Sequence, residues 1–150
     1  MDIAVQLATS FVAAAAFGII FNAPKESLLT SGWVGMIGWI VYYWLWKDGM
    51  TPVFSTVIAS FVIGIISHIY AKKLKMPIII FTVAGIIPLV PGGISYNAMR
   101  SFVQNEYTAA LVLTAQAFMI SGAIALGLIL SEVLRTIPIR KRPKKAAGSL

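Results

Sequence analysis

Five apolar runs, at 3–21, 28–46, 52–70, 77–102 and 107–134, are each long enough to cross a bilayer, and only short links join them. A helix needs roughly 20 apolar residues to span about 30 Å of hydrocarbon. The expected fold is therefore an all-α integral membrane protein of five transmembrane helices, with neighbours antiparallel in one bundle. Composition agrees: 59% of the residues are hydrophobic and 11% charged, and the mean hydropathy is +0.87, a balance that no ordinary soluble domain shows. The first run lacks a basic leading segment and is longer than the apolar core of a signal peptide, so it reads as a transmembrane helix.

The net charge of +7 suggests a nucleic-acid partner until the charges are placed along the chain. Five crossings put Lys25, Lys72, Lys73, Lys75, Arg135, Arg140, Lys141, Arg142, Lys144 and Lys145 on one side and leave Lys47 and Arg100 on the other. That asymmetry is the positive-inside signature; it predicts an external N-terminus and a cytoplasmic C-terminus, with no nucleic acid involved. Residues 1–134 form the transmembrane domain, and 135–150, with Pro138, Pro143 and six basic residues, read as a tail lying against anionic lipid.

The fourth run is interrupted. Pro88-Leu89-Val90-Pro91-Gly92-Gly93 cannot continue a regular helix, because each proline removes a donor and clashes one turn back, and the paired glycines loosen the backbone. From Pro77 to Glu106 there are 30 residues, about ten more than a straight crossing needs. The fourth helix is thus expected to be broken or kinked at Pro88–Gly93, near the bilayer midplane, and irregular backbone survives there only under a cover of protein or a hydrated cavity. A second half-helix beginning near Gly93 or Ser95 would turn free amides, the Ser95 hydroxyl and the Tyr96 and Asn97 side chains toward a carboxylate-bearing substrate, as broken helices in transporters do. The bland alternative is a proline kink between packed helices. Arg100 either snorkels to the interface or, if the backbone folds back at the glycines, stays beside the site.

Other polar residues have readings of their own. Gln116 shares a helical face with Ala123 and Gly127, a face expected to pack inward, so that Gln116 makes an interhelical hydrogen bond or lines a pathway. The lone histidine, His68, reads as an interfacial or satisfied histidine; a proton relay would need an acidic partner, and none is near in sequence. Trp39, Tyr42, Tyr43, Trp44 and Trp46 read as an aromatic belt. Small residues recur at helical spacing (Gly32, Gly35 and Gly38; Ser60 and Gly64; Ala123, Gly127 and Ser131) and mark close helix contacts, within this chain or with another. The acidic residues Asp2, Glu26, Asp48, Glu106 and Glu132 all fall at helix ends or in loops, leaving no midplane carboxylate for a coupling ion. With no cysteine, one histidine, no Ser/His/Asp set and no paired carboxylates, neither an enzyme nor a metal or other cofactor is indicated.

The chain resembles the small subunit of the two-component threonine/serine exporter family, whose relatives include a bacterial succinate exporter. The resemblance rests on Phe21-Asn22-Ala23-Pro24 followed by Gly35 and Gly38, and on Pro88-Leu89-Val90-Pro91-Gly92 with Tyr96 and Met99. It implies a five-helix half, in the bacterial inner membrane, that works with a larger membrane subunit to export a threonine- or serine-type amino acid or a dicarboxylate such as succinate. It also implies that Pro88, Pro91, Gly92 and Tyr96 form the break of this half. Gly93, Ser95, Asn97, Arg100 and Gln116 complete the candidate substrate-binding set. The rival expectations are a non-transporting scaffold subunit and a homo-oligomeric channel.

Overall fold

The computed structural model describes residues 3–136, and all the regular structure in that stretch is helical. The helices are α1 (Ile3–Ile20), α2 (Lys25–Lys47), α3 (Pro52–Leu74), α4 (Ile78–Ile86), α5 (Gly92–Val103) and α6 (Tyr107–Thr136), with a 3-10 turn at Ile87–Leu89 between α4 and α5. Four of them, α1, α2, α3 and α6, are long and apolar enough to cross a membrane, and α4, its turn and α5 make a fifth crossing bent by 53°. The molecule is a multi-pass all-α membrane protein with a broken fourth span. Of the tail expected at 135–150, Arg135 and Thr136 belong to α6, and 137–150, like Asp2 at the other terminus, lie outside the described residues.

Prolines and left-handed residues set the helix bounds. Pro24 and Pro77 sit at the N-caps of α2 and α4, and Pro52 opens α3, positions where a missing N–H costs nothing. At the other ends Asn22 and Asn105 turn the chain with φ of 54° and 63°, and Gly49 with φ of 91°, the residue types that tolerate this conformation. Charged ends extend two helices past their apolar runs. Lys25 and Glu26 belong to α2, and Lys72 and Lys73 to the last turn of α3; long basic stems bury their methylenes while the head stays wet.

The small-residue stripes face one another inside this chain. A Cβ on Gly64 would overlap Ser131, and one on Gly127 would overlap Ser60 and the backbone of Val57. The α3 and α6 stripes are thus reciprocal: each serine fits over the other helix's glycine. The Ser60 hydroxyl donates to Thr56 O at 2.8 Å, and reaches toward Ala123 O at 3.4 Å. On α2, Gly35 lies against Ala14 of α1, and Gly32 against the Phe11 ring. Gly85 of α4 accepts Val34, whose methyl would lie 2.7 Å from an added Cβ. Backbones approach this closely because lipid tails supply no hydrophobic drive, leaving van der Waals contact to hold helices together. Val34, Ala59, Ile63, Leu89, Ile120 and Ile124 form the buried core that results.

Candidate functional site

Two local features make the break. The 3-10 turn closes with Val90 N–H donating to Ile87 O at 3.3 Å, and Gly92 N–H then donates to Val90 O at 2.8 Å across Pro91. With Pro91 at φ −77° and ψ 49°, this is an inverse γ-turn. Leu89, 6% exposed, anchors the turn in the core, and the Pro88 ring sits over Gly35. The break is therefore fixed by packing rather than left loose. It falls where the sequence places it, and the new helix starts at Gly92, a residue before the expected start.

Past the turn, α5 has a face toward α6 and a face toward nothing among the described residues. Only Ala98 is buried along α5. Ser95, Ala98, Met99 and Phe102 border a groove of about 330 Å³ against Thr114, Ala117, Phe118 and Ser121 of α6. At 100° per residue, Gly92, Gly93, Tyr96, Asn97 and Arg100 fall within one arc of about 140° on the other side. All five are exposed. A Cβ added to Gly92 or Gly93 would meet nothing within 4 Å. The first-turn amides of Gly93 and Ile94 have no backbone acceptor across the break, while Ser95 donates twice to Pro91 O, from its N–H at 3.0 Å and from its hydroxyl at 2.9 Å.

The structure gathers Gly92, Gly93, Tyr96, Asn97 and Arg100 on one surface and turns Ser95 into the adjoining groove. Pro88 faces the other way, into a hollow of about 310 Å³ bordered by Gln6, Thr9 and Ser10 of α1 and Trp39 of α2. The bend is 53° and not a reversal, so Arg100 is carried away from the break, to the last turn of α5.

Gln116 departs from expectation. It is exposed and makes no interhelical hydrogen bond, although Ala123 and Gly127 on the same face of α6 are buried. Its face is shared, but its surroundings are not. Gly64 seats Ser131 and Gly127 seats Ser60, so α3 and α6 run parallel. Helix α3 begins at Pro52, eight residues before Ser60, whereas Gln116 stands eleven before Gly127, so this part of α6 lies beyond the end of α3.

Two polar contacts were not visible in the sequence. Trp39 Nε1 donates to Gln6 Oε1 at 3.2 Å beside Pro88; a glutamine inside the first apolar run was the signal for it. His68 Nε2 lies 2.7 Å from Glu132 Oε2, on α3 and α6. The acidic partner that His68 lacks in its sequence neighbourhood is supplied by a helix 64 residues further on, so the histidine is a paired one. Among the described residues, no three His, Asp or Glu side chains come together as metal ligands.

The family model described as "Threonine/Serine exporter, ThrE" matches residues 6–134. A threonine/serine exporter of Corynebacterium glutamicum is 27% identical over 121 residues, which cover 81% of this chain and 24% of that protein. The chain thus spans about a quarter of the length of that relative. No solved structure matches. The matched region runs from α1 through nearly all of α6 and includes the break with both of its flanking half-helices, so the chain belongs to the threonine/serine exporter family.

Proposed function

We propose that this chain is one membrane part of an exporter of small polar metabolites, threonine- or serine-type amino acids or a dicarboxylate such as succinate, and that a larger membrane subunit completes it. The observation that carries this reading is the uncovered polar arc of α5. Ile78–Leu89 comprises 12 residues, or roughly 18 Å of rise at 1.5 Å per residue, so the arc begins just past the middle of the hydrocarbon. Asn97, Arg100 and the free amides of Gly93 and Ile94 do not belong against acyl chains. Another polypeptide and a hydrated path account for them. The limited coverage of the relative, about a quarter of its length, leaves room for that second component.

In this reading the substrate carboxylate approaches the glycine-lined start of α5, where no Cβ stands in the way and the helix dipole is positive. Tyr96 and Asn97 supply hydrogen bonds and Arg100 lines the path further out, while Ser95 and Gln116 lie off this arc. The N-terminus is external and the C-terminus cytoplasmic, because Lys25, Lys72, Lys73, Lys75 and Arg135 lie at one end of the bundle and the inner membrane of a bacterium retains such charge inside. Transport is favoured over scaffolding because the glycine stripes that a scaffold would offer to a client are already filled by this chain's own helices.

Efflux of labelled threonine, serine and succinate, from cells that make this chain together with its larger partner, tests the proposal. Gly92→Leu and Pro91→Ala are expected to lower export of at least one substrate by about tenfold, near 1.4 kcal/mol. Unchanged export of all three, with the complex intact, rejects the site.

A further inference from the structure

We propose that His68 and Glu132 together form a proton-binding site whose occupancy holds α6 against α3 at the basic end of the bundle. It does not depend on which substrate is exported.

The geometry is specific. His68 stands six residues before the end of α3, about 9 Å inside it, with its side chain 13% exposed. Glu132 reaches it from α6 and divides its two oxygens: Oε2 lies 2.7 Å from His68 Nε2, and Oε1 lies 3.3 Å from Arg135. The Nε2 atom is buried and has no aligned hydrogen-bond partner, so the carboxylate approaches close to the ring without lying along its N–H direction. Attraction at that distance is strong when the imidazole is charged and weak when it is neutral. Imidazole is the side chain whose ordinary titration lies between about pH 5 and 8.

Among the described residues, the surroundings leave the pair to itself. From α3, Lys72 lines the same hollow one turn further on; from α6, Arg135 is the other charge. Helix α4 holds no charged residue and contributes Ile78. Helix α2, also packed on α3, carries Lys25 and Glu26 at this end, and neither borders the hollow. The hollow, about 740 Å³, opens outward and gives water access to the ring. Ser131, the residue before Glu132, is the one seated on Gly64. A protonated pair therefore clamps α6 onto α3 beside this contact, and a neutral imidazole leaves Glu132 paired, among the described residues, with Arg135 on its own helix.

The chain has no native cysteine, so Lys73→Cys and Thr136→Cys place spin labels at the exposed ends of α3 and α6 in the full-length protein in lipid nanodiscs. Dipolar EPR is expected to give a separation shorter by about 2 Å at about pH 5.5 than at about pH 8. In the same background, Glu132→Gln and His68→Gln are each expected to abolish the pH response. If His68→Gln does not fold, Glu132→Gln alone decides, because its amide keeps the shape of the carboxylate. A separation independent of pH in the parent, or a response that survives in either folded variant, overturns the proposal.

Discussion

Glycine does opposite things in the two halves of this molecule. Where α3 meets α6, and where α2 meets α1 and α4, each glycine is the floor of a contact, and a methyl group would collide with Ser131, Ser60, Ala14 or Val34. At the start of α5, Gly92 and Gly93 face open space within the chain. The first set is explained by the fold. The second set is not: φ is positive at neither residue, and glycine in a helix is unfavourable by roughly 0.5–1 kcal/mol relative to alanine. Nothing among the described residues requires glycine there, and the proposed substrate path is what would.

Substituting the same residue in both halves exposes the contrast, and the largest effect belongs to the interlocked half. Gly127→Leu drives a side chain into Val57 O, Phe61 N and the Ser60 hydroxyl, and because two of these atoms are backbone they cannot rotate away. The loss exceeds the about 1–3 kcal/mol of ordinary overpacking. The expected outcome is a chain that no longer elutes as a single folded species in detergent, with Gly64→Val close behind.

Gly93→Leu should do the reverse. Stability of the isolated chain, followed by helical circular dichroism on heating, is expected to stay within about 0.5 kcal/mol or to rise slightly, while export in the assembled system falls about tenfold. Equal loss of stability for Gly93→Leu and Gly127→Leu would erase the distinction between the halves.

Arg100 sharpens the comparison at the far end of the same arc. No carboxylate of this chain pairs with it among the described residues, and it stands exposed on the last turn of α5. Arg100→Gln is expected to leave the melting temperature of the isolated chain unchanged and to lower export by a smaller factor than Gly93→Leu, roughly threefold, under 1 kcal/mol. Full export with Arg100→Gln would limit the functional arc to residues 92–97.

Sequence patterns carried the architecture a long way and then stopped at a definable point. Run length and the chemistry of proline revealed five crossings and the place where the fourth breaks, because both are properties of a few adjacent residues. The small-residue stripes were readable too, but not their pairing: periodicity shows that Ser60 and Gly64 share a face and cannot show that Gly127 and Ser131 lie opposite. Gln116 was misplaced for the same reason, since the α3 that covers its face further along α6 begins only at Pro52 and does not reach it. His68 and Glu132, 64 residues apart, meet only because α3 and α6 pack closely. In the candidate site, the sequence made Gly92, Gly93, Tyr96 and Asn97 candidates as a contiguous stretch. That Ser95 turns toward α6 while they turn away depends on the direction of α5, which the bend angle sets.

The smallest expected effect lies on the other side of the break, where the interlocked half reaches the hollow beside Pro88. Trp39 packs against the core with its indole N–H donating to Gln6 Oε1 at 3.2 Å. Trp39→Phe keeps an aromatic ring in place and removes only that donor, leaving a glutamine carbonyl among apolar neighbours. Interhelical hydrogen bonds in membrane proteins average about 0.6 kcal/mol, because the unfolded chain in the bilayer finds partners too. The substitution should therefore lower stability by about that amount. Gln6→Leu, which removes the unmatched carbonyl as well, should recover part of the loss when combined with it. The double variant separates two views of this hollow. If it restores stability and leaves export intact, the Gln6–Trp39 bond serves to pin α1 against α2 beside the break. If stability recovers and export falls, the polar lining beside Pro88 belongs to the same path as the α5 arc, and the break is solvated from both sides.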